Sequence, residues 1–150
     1  IVPLPRAHLS PGWSKLPATN NLARSFHNRL PELWKATPGE TLTFRFRGTA
    51  AGVYDLVGPD CGKLTATVDD LKPVSIARFD SFCTYHRLAK FMAAENLTND
   101  LHTVKIEVSA EALDKQKILS LRNEKMDIPK RFDGTNWYVG SLLLIGDLAD

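Results

Sequence analysis

Between Thr41 and Arg47 apolar and polar side chains alternate without a break, Leu42, Phe44 and Phe46 against Thr43, Arg45 and Arg47. A two-residue period puts one set on each face of an extended strand. Gly48 closes the run, a second apolar segment covers Val53 to Val57, and Gly58-Pro59-Asp60 supplies turn chemistry. Strand, glycine corner, strand and Gly-Pro turn predict an antiparallel β-sandwich. Such folds act through the loops that join their strands.

The pattern recurs along the chain. Further strands are predicted at Leu64–Val68, Val74–Ala77, near Tyr85–Ala93, at Val104–Val108 and at Tyr138–Ile145. Leu142 to Ile145 is apolar on both faces, which predicts a central strand. Residues 1–40 carry six prolines and read as an irregular arm packed on the sandwich. Spacing from Ala23 to Trp34 is partly helical but Pro31 interrupts it, and Leu113–Lys125 suggests one or two helical turns. The expectation is an all-β chain, a single domain over 1–150, with at most one or two short helices. The start at Ile1 suggests a piece of something longer.

Charge narrows the function classes. With 19 basic and 17 acidic residues the net charge is +2, and no basic run interleaves with aromatics, so nucleic acid is not an expected partner. No apolar stretch has bilayer length, so a membrane is not expected either. Cys61 and Cys83 are compatible with one disulfide, as in an exported protein, and equally with two buried thiols. Cys83 and His86 have a Cys-x-x-His spacing to which Cys61 would add a third ligand, but structural zinc wants four. Calcium would want a loop dense in carboxylates, and Asp69-Asp70 is only a turn pair. No cofactor or metal is expected. Serine-hydrolase blocks and phosphate-binding loops are missing as well: Gly12-Trp13-Ser14 lacks its closing glycine.

Three loop segments are richer in directional side chains than folding requires: Gly58–Gly62, Arg78–Arg87, and Arg122–Glu124 with Asp133–Tyr138. If they gather at one rim of a sandwich, they present Asp60, Asp80, Tyr85, His86, Arg87 and Trp137 to a shared cleft. Aromatic faces, carboxylates and a guanidinium are the mixture that sugar recognition uses. A plainer reading stands beside it. Asp80 and Arg87 would then be a structural ion pair, Tyr85 half buried, His86 a satisfied loop histidine and Trp137 part of the core. Trp13 and Trp34 read as packing anchors in the arm, and His102 as a strand-entry residue.

Phe46-Arg47-Gly48-Thr49, Gly58-Pro59-Asp60-Cys61-Gly62, Arg78-Phe79-Asp80, Cys83-Thr84-Tyr85-His86-Arg87 and Trp137-Tyr138-Val139-Gly140 resemble one accessory domain. It is the β-sandwich attached to SGNH/GDSL-type hydrolases of environmental bacteria, many of them carbohydrate esterases. More loosely, Leu101-His102-Thr103-Val104 and the Gly-Thr and Gly-Pro corners are similar to galactose-binding-like jelly rolls. The resemblance covers about residues 30–146. It implies a non-catalytic carbohydrate-binding module, cut from a larger multidomain enzyme that is secreted or periplasmic. Its partners would be a polysaccharide or oligosaccharide and the attached hydrolase or esterase. The hydrolase's own catalytic blocks are missing here, so none of its catalytic residues can be carried over. Two alternatives remain: a structural domain that shapes the hydrolase without binding sugar, and a small polysaccharide-active enzyme using Tyr85, His86 and Arg87.

Overall fold

The computed structural model describes residues 1–150. Four short strands form the arm: β1 (Val2–Pro3), β2 (His8–Leu9), β3 (Ser14–Lys15) and β4 (Trp34–Ala36). Then come β5 (Thr41–Val57), β6 (Lys63–Val68), β7 (Val74–Ala77), β8 (Arg87–Ala94), β9 (Asp100–Val108) and β10 (Trp137–Ala149). Two short α-helices, α1 (Asn21–Phe26) and α2 (Lys115–Ser120), complete the regular structure with 3-10 turns at Leu4–Arg6 and Pro129–Phe132. The chain is all-β, an antiparallel sandwich of jelly-roll type, as its alternation predicts.

The glycine corner is not a corner. Residues 41–57 form one seventeen-residue strand, and both runs either side of Gly48 belong to it. Along one edge of β5 runs β10; along the other lie β9, opposite residues 41–48, and then β8, opposite residues 51–57. The two long strands therefore serve both layers of the sandwich. Their shared bend is made by glycine. Gly48 pairs with Gly146 at a register shift, and Gly146 has φ +138°. A Cβ on Gly48 would lie 2.1 Å from the Ile145 carbonyl oxygen, so only glycine allows the backbones this close. Beyond the bend Ala50 to Val53 is buried on both faces, whereas Phe44 and Phe46 still alternate with exposed Arg45 and Arg47.

β9 is the cleanest case of alternation. His102, Val104, Ile106 and Val108 face inward while Thr103, Lys105 and Glu107 face water. Val104, Ile106 and Val108 meet Phe46, Leu64, Ala66 and Leu142 in the main core, and the His102 ring packs against Phe46. Trp13, the arm's anchor, packs edge-on to Trp137 with ring centroids 5.5 Å apart. Strand β10 is internal at its start, between β4 and β5 over Trp137–Val139 and between β1 and β5 at Ser141–Leu142. Leu143–Ile145 pair with β5 alone and Ile145 is exposed, so the central position expected for Leu142–Ile145 holds only at Leu142. Helix α1 starts where the Asn20 side chain accepts from the amides of Leu22 and Ala23, and stops well before Pro31. Asp114 caps α2 in the same way, accepting from the Lys117 amide.

Trp137 needs correction. Its loop-like neighbours Asp133 to Asn136 suggested a rim position, but it begins β10 with its ring turned inward and no exposed surface. Its Nε1–H donates to Asp55 at 2.8 Å. Asp55 is itself wholly buried and receives both nitrogens of a fork from Arg78, at 2.6 and 2.7 Å. Burial pushes the Asp55 carboxyl up to about 6, against the pull of the Arg78 guanidinium and these hydrogen bonds. A carboxylate on the apolar stretch Val53–Val57 demands such partners. Trp137 is one of them, not a sugar platform.

Candidate functional site

The strand ends bring the three loops together. Val57, the last residue of β5, lies opposite Arg87, the first of β8, while Leu56 lies opposite Tyr138 near the start of β10. The loops beyond these positions therefore share one end of the sandwich. Cys61 bridges to Asn136, the Asn136 amide donates to the Asp60 carbonyl at 2.9 Å, and the Gly62 amide donates to the Asn136 carbonyl at 3.2 Å. Lys115, from α2, ties the arrangement from below. Its buried ammonium donates to the carbonyls of Pro59, Phe132 and Gly134 at 2.7, 2.8 and 3.0 Å. Burial is the main influence on its pKa, which is lowered.

Asp60 is the hub of this end. One carboxylate oxygen accepts from His86 Nε2 at 2.7 Å; the other accepts from the Tyr138 hydroxyl at 2.5 Å and from Asn136 Nδ2 at 3.3 Å. Burial works to raise the Asp60 pKa, but the bonds from His86, Tyr138 and Asn136 together outweigh it and hold it below the ordinary value. Because a carboxylate only accepts, Nε2 of His86 carries the proton. The imidazole stands edge-on to Tyr138, centroids 5.6 Å apart at 87°. Its other edge lies against Gly58, where a Cβ would come within 2.2 Å of Cδ2. Glycine at 58 is the condition for that ring position.

Asp80 is committed in a different way. Oδ1 accepts from the Phe82 amide at 2.9 Å and from the Cys83 thiol at 3.3 Å, and Oδ2 accepts from Arg87 at 2.5 Å. It shapes its own loop and neutralises Arg87. Burial again pulls its pKa upward, and the Arg87 and Phe82 bonds prevail to lower it.

Outside this frame the rim is aromatic and cationic. Tyr85 is 58% exposed and Phe82 46%. The Arg87 guanidinium lies 5.4 Å from the Phe82 centroid and 6.0 Å from that of Tyr85. Arg122, on the turn that closes α2, lies 3.7 Å from the Phe82 centroid. Arg131 reaches in to donate to the Thr84 carbonyl at 2.7 Å. Of the six residues expected at the rim, Asp60 and His86 bond to each other, Asp80 and Arg87 to each other, and Tyr85 faces solvent; Trp137 lies in the core. Phe82, Arg122, Asn136 and Tyr138 join them. Tyr138, Asn136 and Arg122 were legible as polar residues of the third segment, but nothing local placed Arg122 on Phe82.

Both cysteines are buried free thiols, Cys61 and Cys83. Burial raises the Cys61 pKa well above its usual value and pushes Cys83 up to about 11. Asp60, Cys61 and His86 place ligand atoms within 4.8 Å of one another. This trio replaces the Cys83-centred set suggested by spacing. It offers three donors where structural zinc uses four, and the Asp60 oxygens are already engaged. The largest cavity, about 580 Å³, lies elsewhere, between β3, α1 and the Pro31–Leu33 segment.

No protein-family model matches this sequence, and no curated protein matches it. Solved structures do. A two-domain esterase active on acetylated mannans aligns over 96% of this chain and 36% of its own, with 14% identity and a TM-score of 0.57. The Agl-KA catalytic domain aligns over 97% and 27%, at 13% identity and TM-score 0.54. A family two carbohydrate esterase from Cellvibrio japonicus aligns over 95% and 34%, at 13% identity and TM-score 0.50. The likeness is one of fold. This chain spans about a third of the length of each esterase. It thus has an all-β fold found in chains of carbohydrate-active enzymes. No helix in it is long and apolar enough to cross a membrane.

Proposed function

We propose that this chain is a non-catalytic carbohydrate-binding domain that holds a polysaccharide near an attached hydrolase or esterase, in a secreted or periplasmic enzyme. The observation that carries this is the pair of exposed rings, Phe82 and Tyr85, fixed beside guanidinium groups at one end of the sandwich. Exposed aromatic faces suit the C–H surface of a pyranose, and they cost no reorganisation because their loop is already braced by Asp80. Tethering would raise the effective substrate concentration for the attached enzyme. Esterases with this fold, one of them active on acetylated mannans, make plant polysaccharides reasonable first ligands. The rim has a histidine–carboxylate pair but its carboxylate is engaged on both oxygens, which favours a framing role over acid–base chemistry.

A structural role on the attached hydrolase is the second reading. It is favoured by the Asp60 hub, whose bonds all run within the domain. Affinity electrophoresis of the chain against a panel of neutral and acidic polysaccharides separates the two. Retardation without release of product supports binding; free migration in every gel supports the structural role; product release overturns both in favour of an enzyme.

A further inference from the structure

We propose that the rim takes a polysaccharide bearing an oxyanion on its sugar ring, with the Arg122 guanidinium as the receptor beside Phe82 and Tyr85. This rests on the reading that the rim binds carbohydrate, and it names the class of ligand.

Two guanidinium groups, of Arg87 and Arg122, lie over the exposed rings, and a third, of Arg131, bonds their loop. Arg87 and Arg131 are neutralised within the domain. Arg87 pairs with Asp80 at 2.5 Å. Arg131 pairs with Asp127 at 2.9 Å and donates to the Thr84 carbonyl. Arg122 is exposed, lies 3.7 Å from the Phe82 ring centroid and enters no ion pair. Its backbone is fixed as well. The amides of Arg122 and Glu124 both donate to the Leu119 carbonyl at 3.1 Å, closing α2, and Asn123 between them takes φ +57°. Stacking occupies the flat face of the guanidinium and leaves its edge of N–H donors free for a planar or tetrahedral oxyanion.

Acceptors point the same way. A neutral sugar offers hydroxyls that both donate and accept, and its receptors supply carboxylates for the donated hydrogens. Here Asp60 and Asp80 are spent inside the fold, Asp60 on three side chains and Asp80 on Arg87, Phe82 and Cys83. On the loop that carries the rings, what remains exposed is the aromatic surface of Phe82 and Tyr85, with the Arg122 guanidinium stacked on Phe82 as an unpaired donor. The complementary ligand is rich in acceptors and negatively charged: a uronate carboxylate or a sulfate ester on a pyranose.

The test is affinity electrophoresis of the chain in gels containing polygalacturonate, a sulfated carrageenan, or neutral glucomannan. Retardation by an acidic polymer is expected, and which of the two retards the protein tells carboxylate from sulfate. Arg122→Ala should then weaken binding about tenfold to a hundredfold while leaving the thermal midpoint unchanged. Arg122→Lys, which keeps charge without the planar fork, should fall between. Arg47→Ala, which removes an exposed arginine from the far half of β5, should bind like the parent. Equal losses in Arg47→Ala and Arg122→Ala would mean bulk charge and overturn the proposal, as would full binding by Arg122→Ala. Retardation by glucomannan alone overturns the oxyanion while leaving carbohydrate binding in place. Free migration in all three gels overturns both.

Discussion

Asp60 and His86 lie 26 residues apart in sequence and meet at 2.7 Å, joining the loop after β5 to the start of β8. With Tyr138 and Asn136 on the same carboxylate, the bond fixes three loops relative to one another. Asp60→Asn should therefore cost about 2–3 kcal/mol of stability, since charge-assisted hydrogen bonds are lost and buried donors are left poorly matched. Urea unfolding of the two proteins at pH 7 gives the difference.

That difference should depend on pH. The folded pKa of Asp60 is below its unfolded value, so its contribution is complete above about pH 4 and fades as pH falls through the folded pKa. The gap between parent and Asp60→Asn should close in acid. His102 behaves in the opposite sense. Its Nδ1 faces Asp69 at 2.7 Å and its Nε2 faces the Thr98 carbonyl at 2.8 Å, two pure acceptors that both favour the protonated ring. The Thr98 and Asp69 bonds raise its folded pKa. Its contribution is complete below about pH 6.5 and is lost as pH rises through the folded value. The gap between parent and His102→Gln should close in alkali, as read from urea midpoints between pH 5 and 9.

Gly58 allows the His86 ring to sit where it does. In Gly58→Ala the new methyl would overlap Cδ2 of His86, and the ring must leave Asp60 or the loop must shift. A loss of about 1–3 kcal/mol is expected, as for other overpacked sites. The His86 imidazole resonances in an NMR spectrum should move with it.

Trp137 supplies packing and one hydrogen bond to Asp55. Trp137→Ala should cost about 3–5 kcal/mol, in the range of other buried aromatic truncations. Calorimetry should show the fall in melting temperature, and any loss of ligand binding should follow unfolding rather than precede it.

Buried thiols with raised pKa values react slowly. Cys61 and Cys83 should each consume a thiol reagent such as Ellman's only once denaturant is added. Rapid labelling of the native protein would contradict their burial.

The strands were legible wherever one face is wet. β9 and the first half of β5 alternate because Lys105, Glu107, Arg45 and Arg47 point to solvent. Alternation fails where both faces are covered, so the passage from Gly48 to Val53 looked like a corner. The bulge that carries β5 through it is formed with Gly146, which no local pattern connects to Gly48. The rim was legible as three polar loops but not as a set of partners. Asp133 to Asn136 disguised Trp137, whose direction is set by the inward face of β10. Arg122 was picked out as part of the third polar segment, but its partner was not, because stacking on Phe82 is a tertiary contact with no sequence spacing behind it.

The central claim is that the exposed rings of the rim hold a sugar. Its most direct measurement compares the parent chain with Tyr85→Ala by affinity electrophoresis on the polysaccharides named above, alongside both melting temperatures. Tyr85 is 58% exposed, so its removal should leave the melting temperature unchanged. The account predicts that Tyr85→Ala binds about tenfold to a hundredfold more weakly, the effect of losing a stacking platform. A parent chain that migrates freely in every gel, or a Tyr85→Ala variant that binds as the parent does, would contradict it.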